Sequence, residues 1–186
     1  MLDLIQRAYS PTLIDEKNKL IEFKIKIYPK NDTYPDGGKS TSYLETIQVG
    51  NKIEIWTPNT YDFYIEDYCL IKNTIPKQIF QLHYINIICA GSGITPFIRL
   101  LAKFRSQTHI YIKFLYFTNN DNEYFTTLLD NTDFWANNIT LHIMKNIHIS
   151  TEIIHTFLFG KEVNPVTFIC GPQGLLKSAY DLFINN

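Results

Sequence analysis

From residue 84 onward the chain repeats one arrangement: a short apolar run, a turn, then an amphipathic stretch. The runs are "YINIICA" (84–90), "IYIKFLYF" (110–117), "ITLHIM" (139–144) and "VTFIC" (166–170), rich in β-branched and aromatic residues. Helix candidates lie between and after them, at 96–105, 122–130, 150–158 and 173–184. Runs this apolar are buried on both sides of the pleat, and their alternation with helices predicts a parallel sheet covered on both faces. Ligands on such sheets sit at the carboxyl ends of the strands. Two of those ends carry glycine, Gly91 and Gly93 after the first run and Gly171 after the last.

Before residue 80 the texture differs. Ile21, Phe23, Ile25 and Ile27 alternate with Glu22, Lys24, Lys26 and Tyr28, the period of a half-buried antiparallel strand. A turn-rich loop, "PKNDTYPDGGK", leads to a short helix candidate, "STSYLETI". After the turn glycine Gly50, "NKIEIW" (51–56) predicts a second alternating strand. This half reads as part of a small β-barrel with one embedded helix.

The 186 residues carry 17 Lys+Arg against 18 Asp+Glu, with the basic residues scattered singly, which argues against a nucleic-acid surface. Cys69, Cys89 and Cys170 are widely spaced and odd in number, so they form neither a metal-ligand pattern nor a disulfide framework. The reading is a reducing, cytoplasmic location, with no metal site, no signal peptide and no transmembrane segment.

Four motifs carry chemistry. In "AGSGITP", Gly91 and Gly93 permit positive φ and close backbone approach, Thr95 stands where it could cap the following helix, and Pro96 suits a first helical turn. The same residues suit a nucleotide loop or a plain strand-to-helix turn. In "FICGPQG", Cys170 ends a strand, Gly171 turns the chain and Pro172 starts a helix. Alone this is a buried cysteine beside a turn. In "RAYSPT", Arg7 and Tyr9 share one side of an extended segment, a cation and a phenol suited to a flavin nucleotide or to an ordinary edge strand. In "GGKSTSYL", free amides and hydroxyls at a helix start can grip a pyrophosphate or serve only as capping.

Taken in order, Arg-x-Tyr-Ser, the alternating strand, Gly-Gly-Lys-x-Thr-x-Tyr-Leu, Gly-x-Gly-Ile-Thr-Pro and Cys-Gly-Pro resemble the ferredoxin-reductase-like flavoproteins. They are most similar to the NADH–cytochrome b5 reductases. The resemblance implies a partial flavin-binding antiparallel β-barrel over residues 1–78, then a Rossmann-like parallel sheet with flanking helices over 79–186 that binds NAD(P). It implies hydride transfer from NADH, with NADPH an alternative, to FAD. Single electrons would then pass to an acceptor such as cytochrome b5. Arg7 would meet the flavin phosphate, Tyr9 the flavin ring and Ser10 its reactive nitrogen. Ile25, Lys26 and Tyr28 would line the nucleotide tail, and Gly38, Lys39, Ser40 and Thr41 would clamp the pyrophosphate. Gly91, Gly93, Thr95 and Pro96 would form the pyridine-nucleotide loop, with Cys170, Gly171 and Pro172 beside the nicotinamide. Ser10, Thr95 and Cys170 would stand closest to the reacting rings. No general base is needed, so His83, His109, His142, His148 and His155 are expected on the surface or in loops.

The sequence departs from that family at four places. Relatives place further barrel strands upstream of Arg7, so the resemblance implies an N-terminally truncated barrel, completed by a longer chain or by a partner. "TPNT" (57–60) replaces Gly-Pro-x-Gly, and the chain stops at Asn186, before the family's last strand. Lys145 or Asn146 stands where an acid would favour NADH. A second reading follows from these departures: a non-catalytic relative that serves as a nucleotide-binding or partner module. A lost N-terminal segment or a partner would also be the route to any membrane association.

Overall fold

The computed structural model describes residues 7–32, 35–56, 62–119 and 135–184. The chain forms two compact units, Met1–Asn59 and Thr60–Asn186. The expected helix at 122–130 and the "TPNT" segment lie outside the described residues.

In the first unit, β1 (Leu13–Asp15) and β2 (Leu20–Glu22) form an antiparallel hairpin. Its turn is closed by Asp15, whose carboxylate accepts from the Asn18 side-chain amide at 2.8 Å and the Asn18 N–H at 3.0 Å. Those bonds hold the Asp15 carboxyl below its usual range. At the open end, the Thr12 hydroxyl donates to the Glu22 carboxylate at 3.0 Å, and Lys24 pairs with it at 2.9 Å. Lys24 first and Thr12 second hold the Glu22 carboxyl low. α1 (Lys39–Thr46) follows as expected.

The two alternating strands expected in this unit are corrected. The ladder stops at Glu22, and residues 23–30 pair with no strand among the described residues. Residues 51–56 likewise join no ladder, and Ile53, Ile55 and Trp56 stay exposed. Period-two alternation marks the faces a strand can offer, whereas a ladder also needs a neighbour for its N–H and C=O groups.

In the second unit, β3 (Phe63–Glu66), β4 (Cys69–Lys72) and β5 (Gln78–Gln81) make an antiparallel sheet. Asp67 and Tyr68 join β3 to β4 with positive φ at both residues, the backbone of a two-residue hairpin whose twist suits the strands. The chain then builds the expected parallel sheet from β6 (Tyr84–Ala90), β7 (Tyr111–Thr118), β8 (Ile139–Lys145) and β9 (Val166–Cys170), ordered β8-β7-β6-β9. α2 (Thr95–Phe104), α3 (Thr151–Phe157) and α4 (Gln173–Ile184) are its helices. Antiparallel segments followed by a helix-flanked parallel sheet bear out the expected fold class.

Strand parity divides the sheet residues between two cores. Ile85, Ile87, Cys89, Ile112, Phe114 and Tyr116 face α2, which buries Phe97, Ile98, Leu101 and Phe104 at helical spacing. Each such side chain contributes roughly 1.5–3 kcal/mol by leaving water. Ile65, Tyr68 and Leu70 of the antiparallel sheet pack on that core too. The opposite face sets Ile88, Leu115, Phe117 and Met144 against Ile153, Ile154 and Phe157 of α3 and Leu175 and Phe183 of α4.

This second face also carries an in-register polar row, Thr167–Asn86–Lys113–Thr140. The row docks the end of α3. Asn86, fully buried, accepts from the Phe159 N–H at 2.9 Å and donates to its carbonyl at 3.0 Å. The Lys113 ammonium donates to the Leu158 carbonyl at 3.3 Å, a cation at a helix C-terminus. On the sheet edge Asn138 closes α2, its amide donating to the carbonyls of Phe104, Gln107 and Ile110.

His142 is a correction to the surface-or-loop expectation: it lies within β8, half-buried, its ring 4.6 Å from that of Phe157. Burial first, and Lys113 second, lower its pKa from the ordinary 6.5. Between the folded and the ordinary value the unfolded chain binds more protons, so this group's share of stability is full above 6.5 and lost as pH falls through the folded value. An imidazole NMR titration should place the His142 midpoint below 6.5, and a midpoint above it is contrary to this packing. Replacing Asn86 with Leu strands both main-chain groups of Phe159 and should cost about 3 kcal/mol in urea unfolding.

Candidate functional site

The first-unit motif is built around the main chain of Tyr28. The Gly38 N–H donates to the Tyr28 carbonyl at 2.9 Å, and the Tyr28 N–H donates to Thr41 Oγ1 at 3.2 Å. Thr41 Oγ1 in turn donates to the Gly38 carbonyl at 3.0 Å. Both glycines serve this closure. A Cβ on Gly37, which sits at φ +63, would lie 2.9 Å from the Tyr28 carbonyl oxygen, and one on Gly38 would strike Thr41 Oγ1. Thr41 is buried and its hydroxyl is occupied within the turn.

Ser40 differs. Its Oγ is buried with no hydrogen-bond partner, the one such atom among the described residues. It stands in the first turn of α1, where the N-cap Gly38 supplies no side-chain cap. The first intrahelical bond is donated by Ser42 to Gly38, so the amides of Lys39, Ser40 and Thr41 precede it. An uncapped helix start with an unsatisfied hydroxyl and an adjacent lysine is a place for an anion. Arg7 and Tyr9 are exposed, and Ser10 is partly so. Ile25 is half-buried and Lys26 exposed; the Lys26 ammonium lies 5.7 Å from the centroid of the exposed Tyr28 ring.

In the second unit the carboxyl ends of β6 and β9 interlock. Gly91 leaves β6 at φ +52 and opens a single 3₁₀ turn, Gly91–Ile94, that runs directly into α2. A Cβ on Gly93 would strike the Cys170 carbonyl oxygen and lie 2.9 Å from Gly171 Cα. The close approach expected of Gly93 is thus made by the main chain of β9. Tyr116, buried beneath, donates its hydroxyl to the Gly91 carbonyl at 3.4 Å. Thr95 is corrected as a cap. It is already helical, and its hydroxyl donates back to the Ser92 carbonyl at 3.0 Å. Pro96 occupies the first helical turn as expected.

Cys170 ends β9 half-buried, and burial pushes its thiol up. It is therefore protonated at neutral pH, suited to contact and poor as a nucleophile. Gly171 tucks against Ala90, while Pro172 is exposed ahead of α4. Lys145 and Asn146 stand at the carboxyl end of β8, beyond β7, where the Asn146 N–H bonds the Thr118 carbonyl at 2.9 Å. His83, His109, His148 and His155 are exposed as expected. Tyr116 was missed by the sequence reading, because a tyrosine within an apolar strand looks like any core aromatic.

Substituting Gly93 with Ala should destabilise the fold by at least about 2 kcal/mol, since main chain would have to move. Gly174, whose Cβ position meets nothing within 4 Å, is the control. Its alanine variant should stay within about 1 kcal/mol of wild type. Thermal and urea unfolding of the pair check this.

Residues 2–64 match the family described as the oxidoreductase FAD-binding domain. NADH-cytochrome b5 reductase 2 of Mus musculus is 35% identical over 112 residues, covering 57% of this chain and 40% of the relative. The chain thus spans well under half the length of that reductase. The crystal structure of the cytochrome b5 reductase domain of Ulva prolifera nitrate reductase superposes with a TM-score of 0.80 at 22% identity, over 94% of this chain and 70% of that one. Ferredoxin-NADP+ reductase from Plasmodium falciparum gives 0.64 at 19%, over 96% and 71%. In its FAD-binding segment the chain is similar to the oxidoreductase FAD-binding domain, over about half its length to cytochrome b5 reductases, and in fold to the ferredoxin-reductase-like flavoproteins.

Proposed function

We propose that this chain works in an FAD-dependent oxidoreductase that takes a hydride from NADH or NADPH and passes single electrons to an acceptor protein such as cytochrome b5. The observation that carries the reading is Ser40: a buried, partnerless hydroxyl at an uncapped helix start, inside the segment that matches the FAD-binding family. A pyrophosphate supplies the acceptor oxygens that this turn lacks, so the residues fit the cofactor. FAD, when bound, supplies the step between two-electron and one-electron transfer that no side chain provides.

The chain's own residues then divide the work. Ser40 and the first amides of α1 hold the pyrophosphate, with Lys39 adding charge, while Gly37, Gly38 and Thr41 keep the turn in shape. Arg7 offers a guanidinium to phosphate, Tyr9 a ring face and Ser10 a hydroxyl for the flavin, with Ile25, Lys26 and Tyr28 along its nucleotide tail. In the second unit, Gly91–Ile94 and the start of α2, including Thr95 and Pro96, receive the pyridine nucleotide. Cys170, Gly171 and Pro172 flank its ring. The assignment of 1–78 to flavin and 79–186 to pyridine nucleotide belongs to the same reading. Hydride transfer needs alignment and exclusion of water rather than an acid or base, which suits a site whose cysteine stays protonated.

The test is reconstitution of the purified chain with FAD, followed by anaerobic addition of NADH or NADPH. A yellow protein bleached by either nucleotide, with ferricyanide reduced in turnover, supports the proposal. Ser40→Ala should weaken FAD binding about tenfold without unfolding the chain. A folded chain that binds pyridine nucleotide but takes up no FAD overturns the proposal in favour of a non-catalytic binding module.

A further inference from the structure

Cys89 and Cys170 are opposed in register on the adjacent parallel strands β6 and β9. Both belong to the face that packs on α2, Cys89 fully buried within that core and Cys170 half-buried against it. Adjacent strands lie about 4.8 Å apart, and in-register side chains on one face start from that separation. A disulfide needs Cβ atoms about 3.8 Å apart, so oxidation of this pair would drag β6 and its neighbour β9 together. One larger atom bridging the sulfurs needs no such movement. Among the described residues no group of three or more His, Cys, Asp or Glu side chains could hold a metal ion, which leaves two donors, too few for a tetrahedral zinc site.

We propose that Cys89 and Cys170 form a two-sulfur site at the carboxyl edge of the sheet for a thiophilic centre satisfied by two thiolates, of the class of trivalent organoarsenicals. Cys170, at the strand end and partly exposed, is the sulfur a probe reaches first; it reacts as the thiol, its proton passing to the arsenical oxygen, and Cys89 closes the chelate. With an arylarsine oxide the step balances without any oxidant. Two S–H bonds break, two As–S bonds form, and the oxygen leaves with both protons as water. Cys69, on β4, is outside the pair.

The experiment uses the full chain and phenylarsine oxide. A single equivalent should bind, resist excess 2-mercaptoethanol and be released by 2,3-dimercaptopropanol. Cys89→Ala and Cys170→Ala should each weaken retention against the monothiol about a hundredfold, because the second sulfur acts intramolecularly. Cys69→Ala should leave retention unchanged. The register exists only in the folded chain, so the melting temperature of the wild type should rise with probe concentration. Unchanged retention in either of the first two variants, loss in Cys69→Ala, or a wild-type melting temperature that stays level or falls overturns the proposal. The wild-type melt decides even where a variant fails to fold.

Discussion

The main chain of Cys170 lying against the Cα of Gly93 is the contact on which the second unit depends. It joins the last strand to the turn after the first, so the two strand ends most able to meet a ligand are held as one surface. A side chain at residue 93 would part them. Because Gly91 turns at positive φ and the 3₁₀ turn runs straight into α2, the helix starts without a capping side chain. Tyr116 supports the same turn from the core side. The geometry of the edge is therefore fixed by backbone contacts and one buried phenol, leaving the side chains of Ser92, Pro96 and Cys170 free of that task.

The first unit solves a related problem with hydroxyls. Thr41 and Ser40 are neighbours in one turn, yet one hydroxyl is fully employed and the other has nothing to bond. Their difference follows from helical geometry, since successive residues point about 100° apart. One side chain turns back to the Tyr28 main chain, and the next has no partner there. A buried hydroxyl without a partner is costly in a fold that has no use for it. This asymmetry is the observation on which the proposed pyrophosphate contact rests.

Much of the second unit was legible because its signal is redundant. Four two-sided apolar runs, each followed by helix-compatible sequence, leave few alternatives, and the strand boundaries fell within a residue of those read. The antiparallel sheet of 63–81 was not read strand by strand. Its strands are four residues long, its hairpin turn is Asp67-Tyr68 rather than Asn-Gly, and its apolar face is shared with a core built elsewhere. The alternation at 21–28 and 51–56 was visible, but pairing is a property of two segments and alternation of one. Within the site, the motifs located the turns. They did not say which of Ser40 and Thr41 was occupied, since both are hydroxyls in the same motif and only packing tells them apart.

Parity in the parallel sheet then decides where chemistry can go. On one face Asn86, Lys113 and His142 all converge on the end of α3, so the polar side chains there are engaged in holding a helix. On the other face the same strands present Ile85, Ile87, Phe114, Tyr116 and the two cysteines to α2, the helix that begins at the glycine turn. A shift of one residue in β6 would exchange Cys89 for Ile88 and bring Asn86 under α2. The register that keeps polar groups at α3 is therefore the same register that gives the glycine-bearing edge an apolar, thiol-lined floor. On the function proposed above, that floor would take a flat, weakly polar ring, and the anion would fall to the helix starts rather than to the sheet.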